Sequence, residues 1–259
     1  MAINDWQSLY PSIRYDKNMV TDPVEWLIHG MWQKGRINAM SGFEKSGKSR
    51  LMNWLLAGLA KESCLGFGCS GEPSILYLCG EEPIATVNNR IMRYAEIQGI
   101  ADYNYDIDFV EAAAMRLDLR PQRNALLDRL RSDGRNMLVI DPWRRVHGAD
   151  ENDSSAMAPL YNDLRRWSNT YGITVLILHH TPKLSEDTDM SRIASWFRGS
   201  TDLPAILDTA TYVNRQKRNK DHNGDWLKVL RQGRFPPMLP LEIDDLGGSK
   251  LGDDRGFSI

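Results

Sequence analysis

From Ile37 onward, short apolar runs alternate with longer stretches whose apolar residues recur every three or four positions. The first pattern reads as buried strand and the second as one face of a helix. "INAMSG" (Ile37 to Gly42) is the first strand. After a Gly-rich turn comes "KSRLMNWLLAGLA", where Leu51, Met52, Leu55, Leu56 and Leu59 predict a largely buried helix. "SILYLCG" (Ser74 to Gly80) is the second strand, and the helix behind it carries Ile84, Val87, Ile91 and Tyr94 on one face. "IDFVEA" (Ile107 to Ala112) is a third. Pro121 at a first turn, with Leu126, Leu127 and Leu130, predicts another helix, after which Gly134 leads into "NMLVIDPW", the fourth strand. Asp153 or Ser154 can cap the next helix, striped by Met157, Leu160, Leu164 and Trp167 and stopped at Gly172. The strand "ITVLILHHTPK" follows.

Strands alternating with helices of this length predict right-handed crossovers and a mainly parallel sheet flanked by helices, an α/β architecture. After Gly199, "DTATYVNR", "DWLKVLRQ" and "LPLEIDD" predict a C-terminal antiparallel extension, with "HNGD" (His222 to Asp225) as its hairpin turn. The 259 residues are enough for one core. The expected organisation is one domain over residues 31–245, an N-terminal segment 1–30 whose Trp6, Tyr10 and Trp26 pack on it or on a neighbour, and a tail 246–259.

Charge and cysteine content narrow the function classes. The formal net charge is −2, with 32 Lys and Arg against 34 Asp and Glu, so any polyanion site must be local. The three cysteines are an odd number and no basic, then apolar, segment opens the chain, which predicts a reduced cytoplasmic compartment. Cys64 and Cys69 lack a second Cys/His pair at zinc-finger spacing. No apolar run reaches membrane-spanning length, so no membrane partner is expected.

Between the first strand and its helix stands "GFEKSGKS", which matches G-x-x-x-x-G-K-[ST] in the strand–loop–helix setting a phosphate loop requires. Its residues Gly42, Phe43, Glu44, Lys45, Ser46, Gly47, Lys48 and Ser49, with Arg50 next along, form the expected nucleotide cradle. Backbone N–H groups and the positive helix end face the phosphates, Lys48 neutralises them and the Ser49 hydroxyl holds Mg²⁺. Asp141 ends the strand "MLVID" in the crevice where open α/β sheets bind ligands, and is expected on the same Mg²⁺. Pro142 follows it, so no adjacent acid activates water. Glu81 and Glu82, just past the second strand, are the alternative source of a base, or simply helix-start acids. His179 and His180 invite a metal reading, but successive strand residues face opposite ways, which sends the two imidazoles apart.

In order and spacing, "GFEKSGKS", "YLCGEEP", "VIDPWRRVHGADENDSSAM", "LHHTPK" and "RGST" resemble the RecA-like fold P-loop ATPases, and within them the plasmid RepA-type hexameric replicative helicases and their phage relatives. The resemblance covers roughly residues 20 to 235. It implies an ATP- and Mg²⁺-dependent motor on single-stranded DNA, a homo-hexameric ring and a replication-initiation partner. It makes Glu81 the catalytic carboxylate and His180 the sensor of the γ-phosphate, with His179 bracing the adjacent turn or strand. From "RQKRN", Arg218 first and Lys217 second would reach into a neighbouring subunit's site; a solvated basic turn is the alternative.

Around Leu184 to Phe197, where such motors place DNA-binding elements, Arg192 and Trp196 suit a backbone contact and a stacked base, against the acids Glu186, Asp187 and Asp189. Lys183 and Arg198 flank that loop, and Arg144 and Arg145 are further nucleic-acid candidates unless they pair with Asp150 or Glu151. A recombination or strand-annealing ATPase and a non-motor switch acting on a protein are the competing functions.

Overall fold

In the computed structural model, residues 24–65, 67–100, 102, 104–181, 202–216, 226–233 and 241–244 are described. The elements run β1 (Trp26–Ile28), β2 (Trp32–Gln33), β3 (Ile37–Gly42), α1 (Lys48–Gly58), β4 (Ser63–Cys64), β5 (Phe67–Gly68), β6 (Ile75–Cys79), α2 (Ile84–Ile97) and β7 (Ile107–Glu111). They continue with α3 (Arg120–Ser132), β8 (Met137–Asp141), a 3-10 turn (Trp143–Arg145), α4 (Ser154–Tyr171) and β9 (Thr174–His180). A short α5 (Asp202–Ile206) precedes β10 (Thr209–Gln216), β11 (Trp226–Gly233) and β12 (Leu241–Asp244).

One eight-stranded sheet has the order β12-β11-β10-β3-β9-β8-β6-β7. All pairings from β10 to β7 are parallel, whereas β11 pairs antiparallel with β10 and with β12. The antiparallel extension therefore begins one strand later than the sequence predicts. At the start of this pairing the Asp208 carboxylate accepts from Ile37 N at 3.0 Å and from Arg165 Nη1 at 2.8 Å, which adds a side-chain tie to the parallel ladder of β10 with β3.

Alternation along the central strands sorts the core into two layers. Ile75, Tyr77 and Cys79 of β6, Met137 and Val139 of β8, and Leu176 and Leu178 of β9 pack with α1 and α2. Leu76 and Leu78, Leu138 and Ile140, and Val175 and Ile177 pack with α3 and α4. A two-residue period with both faces apolar is what a parallel sheet covered on both sides demands.

Local signals fix the helix ends. The Asp153 carboxylate accepts from Ser155 N at 2.9 Å and Ala156 N at 3.2 Å, capping α4, and Gly172 ends that helix at φ 66. Two small hairpins escape a reading by periodicity because their strands are only two or three residues long. One of them, β1 with β2, spans the boundary drawn at residue 30, and its Leu27, Ile28 and Trp32 are buried in the main core. Among the described residues, no helix is long and apolar enough to cross a membrane.

Candidate active site

β3, β6, β8 and β9 all end at the same edge of the sheet, and the loops leaving them enclose a pocket of about 430 Å³. Parity decides which side chains enter it. Asp141 continues the series Met137, Val139, and His180 continues Leu176, Leu178, so both fall on the α1 face. His179 has the opposite parity and is buried on the other side.

The loop between β3 and α1 is closely packed at its glycines. A Cβ on Gly42 would lie 2.3 Å from the carbonyl oxygen of Val213 and 2.6 Å from Ser46 Oγ, so only glycine fits. Lys45 has φ 60 and Gly47, the N-cap of α1, has φ 94. Left-handed non-glycine residues are uncommon and cluster at binding loops. Lys48 Nζ donates to Gly42 O at 2.9 Å and Phe43 O at 2.8 Å. Burial pulls its ammonium down to about 8, against the favourable charges of Asp141, Glu81 and Glu44.

Ser49 Oγ donates to Asp141 Oδ1 at 3.3 Å, and the Tyr77 hydroxyl donates to Asp141 Oδ2 at 2.8 Å. Burial raises the Asp141 carboxyl to about 6, opposed by those two hydrogen bonds. Tyr77 escaped the sequence reading. Its signal is register: Tyr77 pairs with Val139, two residues before Asp141, which places the two side chains diagonally on one face.

Glu81 and Glu82 separate. Glu82 forms a two-bond pair with Arg90, both contacts at 2.7 Å. Glu81 Oε1 accepts from Arg145 Nε at 3.3 Å and lies 3.9 Å from His180 Nε2. Burial, then the nearby Lys48 charge, lowers the His180 pKa, which favours its neutral form. Arg145 thus pairs with Glu81 rather than with Asp150 or Glu151. Its neighbour Arg144 donates to His147 O at 3.2 Å.

Do these groups fit a nucleoside triphosphate and a divalent cation? A loop with no room for a Cβ at Gly42, a buried lysine and the buried Ser46 hydroxyl without a hydrogen-bond partner suit phosphate oxygens. The hydroxyl of Ser49 and the carboxylate of Asp141 are hard oxygen donors of the kind Mg²⁺ takes.

Over residues 12–186 the sequence matches a family described as an AAA domain (AAA_25). The chain belongs to the AAA domain family. Its fold is that of the RecA-like P-loop ATPases. A solved ATPase domain superposes with a TM-score of 0.61 at 13% identity, covering 81% of each chain. A KaiC-like protein, PH0186, from the hyperthermophilic archaeon Pyrococcus horikoshii OT3 gives 0.53 at 15% identity, covering 85% of this chain and 95% of that one. At such identities the likeness is one of fold. No curated protein matches the sequence.

In this AAA domain the pocket is lined by Glu44, Lys45, Ser46, Gly47, Lys48, Ser49, Arg50, Glu81, Asp141 and His180, while Gly42 lies behind its lining. Phe43 instead turns outward, 45% exposed. Arg215, not singled out before, lines the same pocket from the end of β10. Arg144 and Arg145 border a second cavity. Lys183, Arg192, Trp196, Arg198, Lys217 and Arg218 lie outside the described residues. Among the described residues, no cluster of three or more His, Cys, Asp or Glu is arranged to hold a metal ion.

Proposed function

We propose that the chain is an ATP-hydrolysing motor of the replicative helicase type, driven along single-stranded DNA and working as a ring, most simply a hexamer. The observation that carries this reading is the meeting of Lys48, Ser49, Asp141, Glu81 and His180 around one pocket at the strand ends of a RecA-like sheet. The motif order supports the helicase class in particular.

In this reading the loop amides, Lys48 and Arg50 hold the triphosphate. Ser49 and Asp141 would hold Mg²⁺, which supplies charge neutralisation at the phosphates. Tyr77 keeps the Asp141 carboxylate turned toward Ser49. Glu81 accepts a proton from the attacking water as its oxygen bonds to the γ-phosphorus and the bond to the ADP oxygen breaks. His180 bonds the γ-phosphate and relays its loss to the segment after β9. Arg218, or Lys217, completes the site of a neighbouring subunit.

The deciding experiment pairs ATP turnover, with and without single-stranded DNA, with unwinding of a forked duplex. DNA-stimulated turnover and strand separation are expected. Turnover indifferent to DNA, with no unwinding, would favour a switch acting on a protein. Sizing in the presence of ATP tells a ring from a filament.

The Lys48 environment adds a pH dependence. Its ammonium titrates near 8 in the nucleotide-free protein, so its charge is present below that pH and lost above it. ATP affinity should then fall by up to about tenfold per pH unit above 8, since one proton must be taken up on binding. Lys48→Arg keeps its charge throughout and should flatten the profile. Equal slopes in both proteins, measured by titration calorimetry, would discard the idea.

A further inference from the structure

A polar side chain sits in the most apolar part of α1. Asn53 lies among Leu51, Met52, Trp54 and Leu55 and is fully buried. Asparagine is a poor residue for a helix interior, and burying its amide is costly unless the amide is hydrogen-bonded. Its neighbour across the sheet accounts for it.

Asn53 follows Ser49 by four residues, so one ridge of α1 presents both. Ser49 Oγ donates to Asp141 Oδ1 at 3.3 Å. The other carboxylate oxygen, Oδ2, accepts from the Tyr77 hydroxyl at 2.8 Å, and the same hydroxyl lies 3.3 Å from Asn53 Oδ1. Asp141 is thus reached from α1 at both oxygens, directly by Ser49 and by Asn53 through Tyr77. Tyr77 is itself fully buried, so water does not compete for its hydroxyl.

A tyrosine hydroxyl has one proton to give, and two acceptors face it here. The Asp141 contact is the shorter and its acceptor is charged, so the proton goes there. The Asn53 oxygen would then meet only the lone pairs of the tyrosine oxygen, while Asn53 Nδ2 is buried with no hydrogen-bond partner. The two ends of an amide are alike in shape, and hydrogen bonding decides which of them faces a neighbour. With its NH2 turned to Tyr77, Asn53 donates to the tyrosine oxygen and the tyrosine donates to Asp141. Bonds aligned head to tail in this way polarise one another.

We propose that Asn53 is a positioning residue for the cation site: it donates to Tyr77, which in turn holds the Asp141 carboxylate with Oδ1 toward Ser49, so that both groups assigned to Mg²⁺ are fixed to one helix before nucleotide arrives. The inference rests on the proposed role of Ser49 and Asp141 in holding Mg²⁺. Residues that orient a metal ligand without touching the metal change its affinity by about 10- to 100-fold.

The test measures the affinity of the full chain for a fluorescent ATP analogue in EDTA and in Mg²⁺, and ATP turnover across Mg²⁺ concentration. Tyr77→Phe should cut the gain in affinity that Mg²⁺ brings by about tenfold or more and raise the Mg²⁺ concentration for half-maximal turnover, with affinity in EDTA near the parental value. Asn53→Leu, which keeps the volume of the side chain, should act the same way by roughly two- to tenfold, the worth of one hydrogen bond, and keeps the test decisive if Tyr77→Phe fails to fold. The double variant should be no worse than Tyr77→Phe alone, because Asn53 acts only through the hydroxyl. An unchanged Mg²⁺ gain in either single variant overturns the relay. So do additive effects in the double variant, or a loss of affinity in EDTA as large as the loss in Mg²⁺, which mark damaged packing. Asp141→Asn separates the relay from the reading it rests on. If Asp141→Asn loses the Mg²⁺ gain and the other variants keep it, only the relay fails; if Asp141→Asn keeps it, the placement of the cation fails and the relay with it.

Discussion

Replacing Lys48 by alanine should lower ATP turnover by at least about 10²-fold, the scale on which removal of one preorganised charge partner acts. The ammonium has two tasks in this structure. It donates to the Gly42 and Phe43 carbonyls, which ties the loop to the start of α1, and it is the buried cation that faces Asp141, Glu81 and Glu44. Alanine removes both the bonds and the charge. Because Lys48 is desolvated before nucleotide arrives, part of its attraction for a triphosphate is the recovery of a charge that burial disfavours, so affinity should fall along with turnover. Thermal melting separates this from unfolding: the variant should melt close to the parent without ATP but gain little from added ATP, since a ligand stabilises only the state that binds it. Full turnover in Lys48→Ala would sink the placement of the site.

Much of this arrangement is legible in the sequence because it depends on spacing. The loop from Gly42 to Ser49 announces itself by glycine positions that admit no Cβ, and Asp141 by its place at the end of an apolar strand. Parity sends His180 to the α1 face and His179 away from it, before any coordinates are known. Long-range pairings are a different matter. Nothing near Glu81 in the chain points to Arg145, 64 residues on, and nothing near Tyr77 points to an aspartate on another strand. Such contacts need the strand order. The position of β10 escaped for the same reason, since its parallel partner β3 lies far back in the sequence and the ladder between them, from Thr209 beside Asn38 to Tyr212 beside Ser41, is set by no local signal.

The two acids after β6 allow a sharper experiment. Glu81→Gln should lower turnover by about 10²- to 10⁴-fold while leaving ATP binding near the parental value, because the amide keeps the shape of the side chain but cannot accept the proton of the attacking water. Its carbonyl oxygen can still accept from Arg145, so the surroundings need not rearrange. Glu82→Gln is the control, since that carboxylate is already held in a two-bond pair by both Nη atoms of Arg90. It should lose a partly exposed ion pair, worth roughly 1 kcal/mol of stability or less, and keep most of its turnover. Single-turnover hydrolysis beside equilibrium binding of a fluorescent ATP analogue measures both quantities on each variant. Loss of hydrolysis in Glu82→Gln with activity retained in Glu81→Gln would exchange the two assignments. Comparable loss in both would make the pair a structural unit at the start of α2, and the base would then have to come from another strand end.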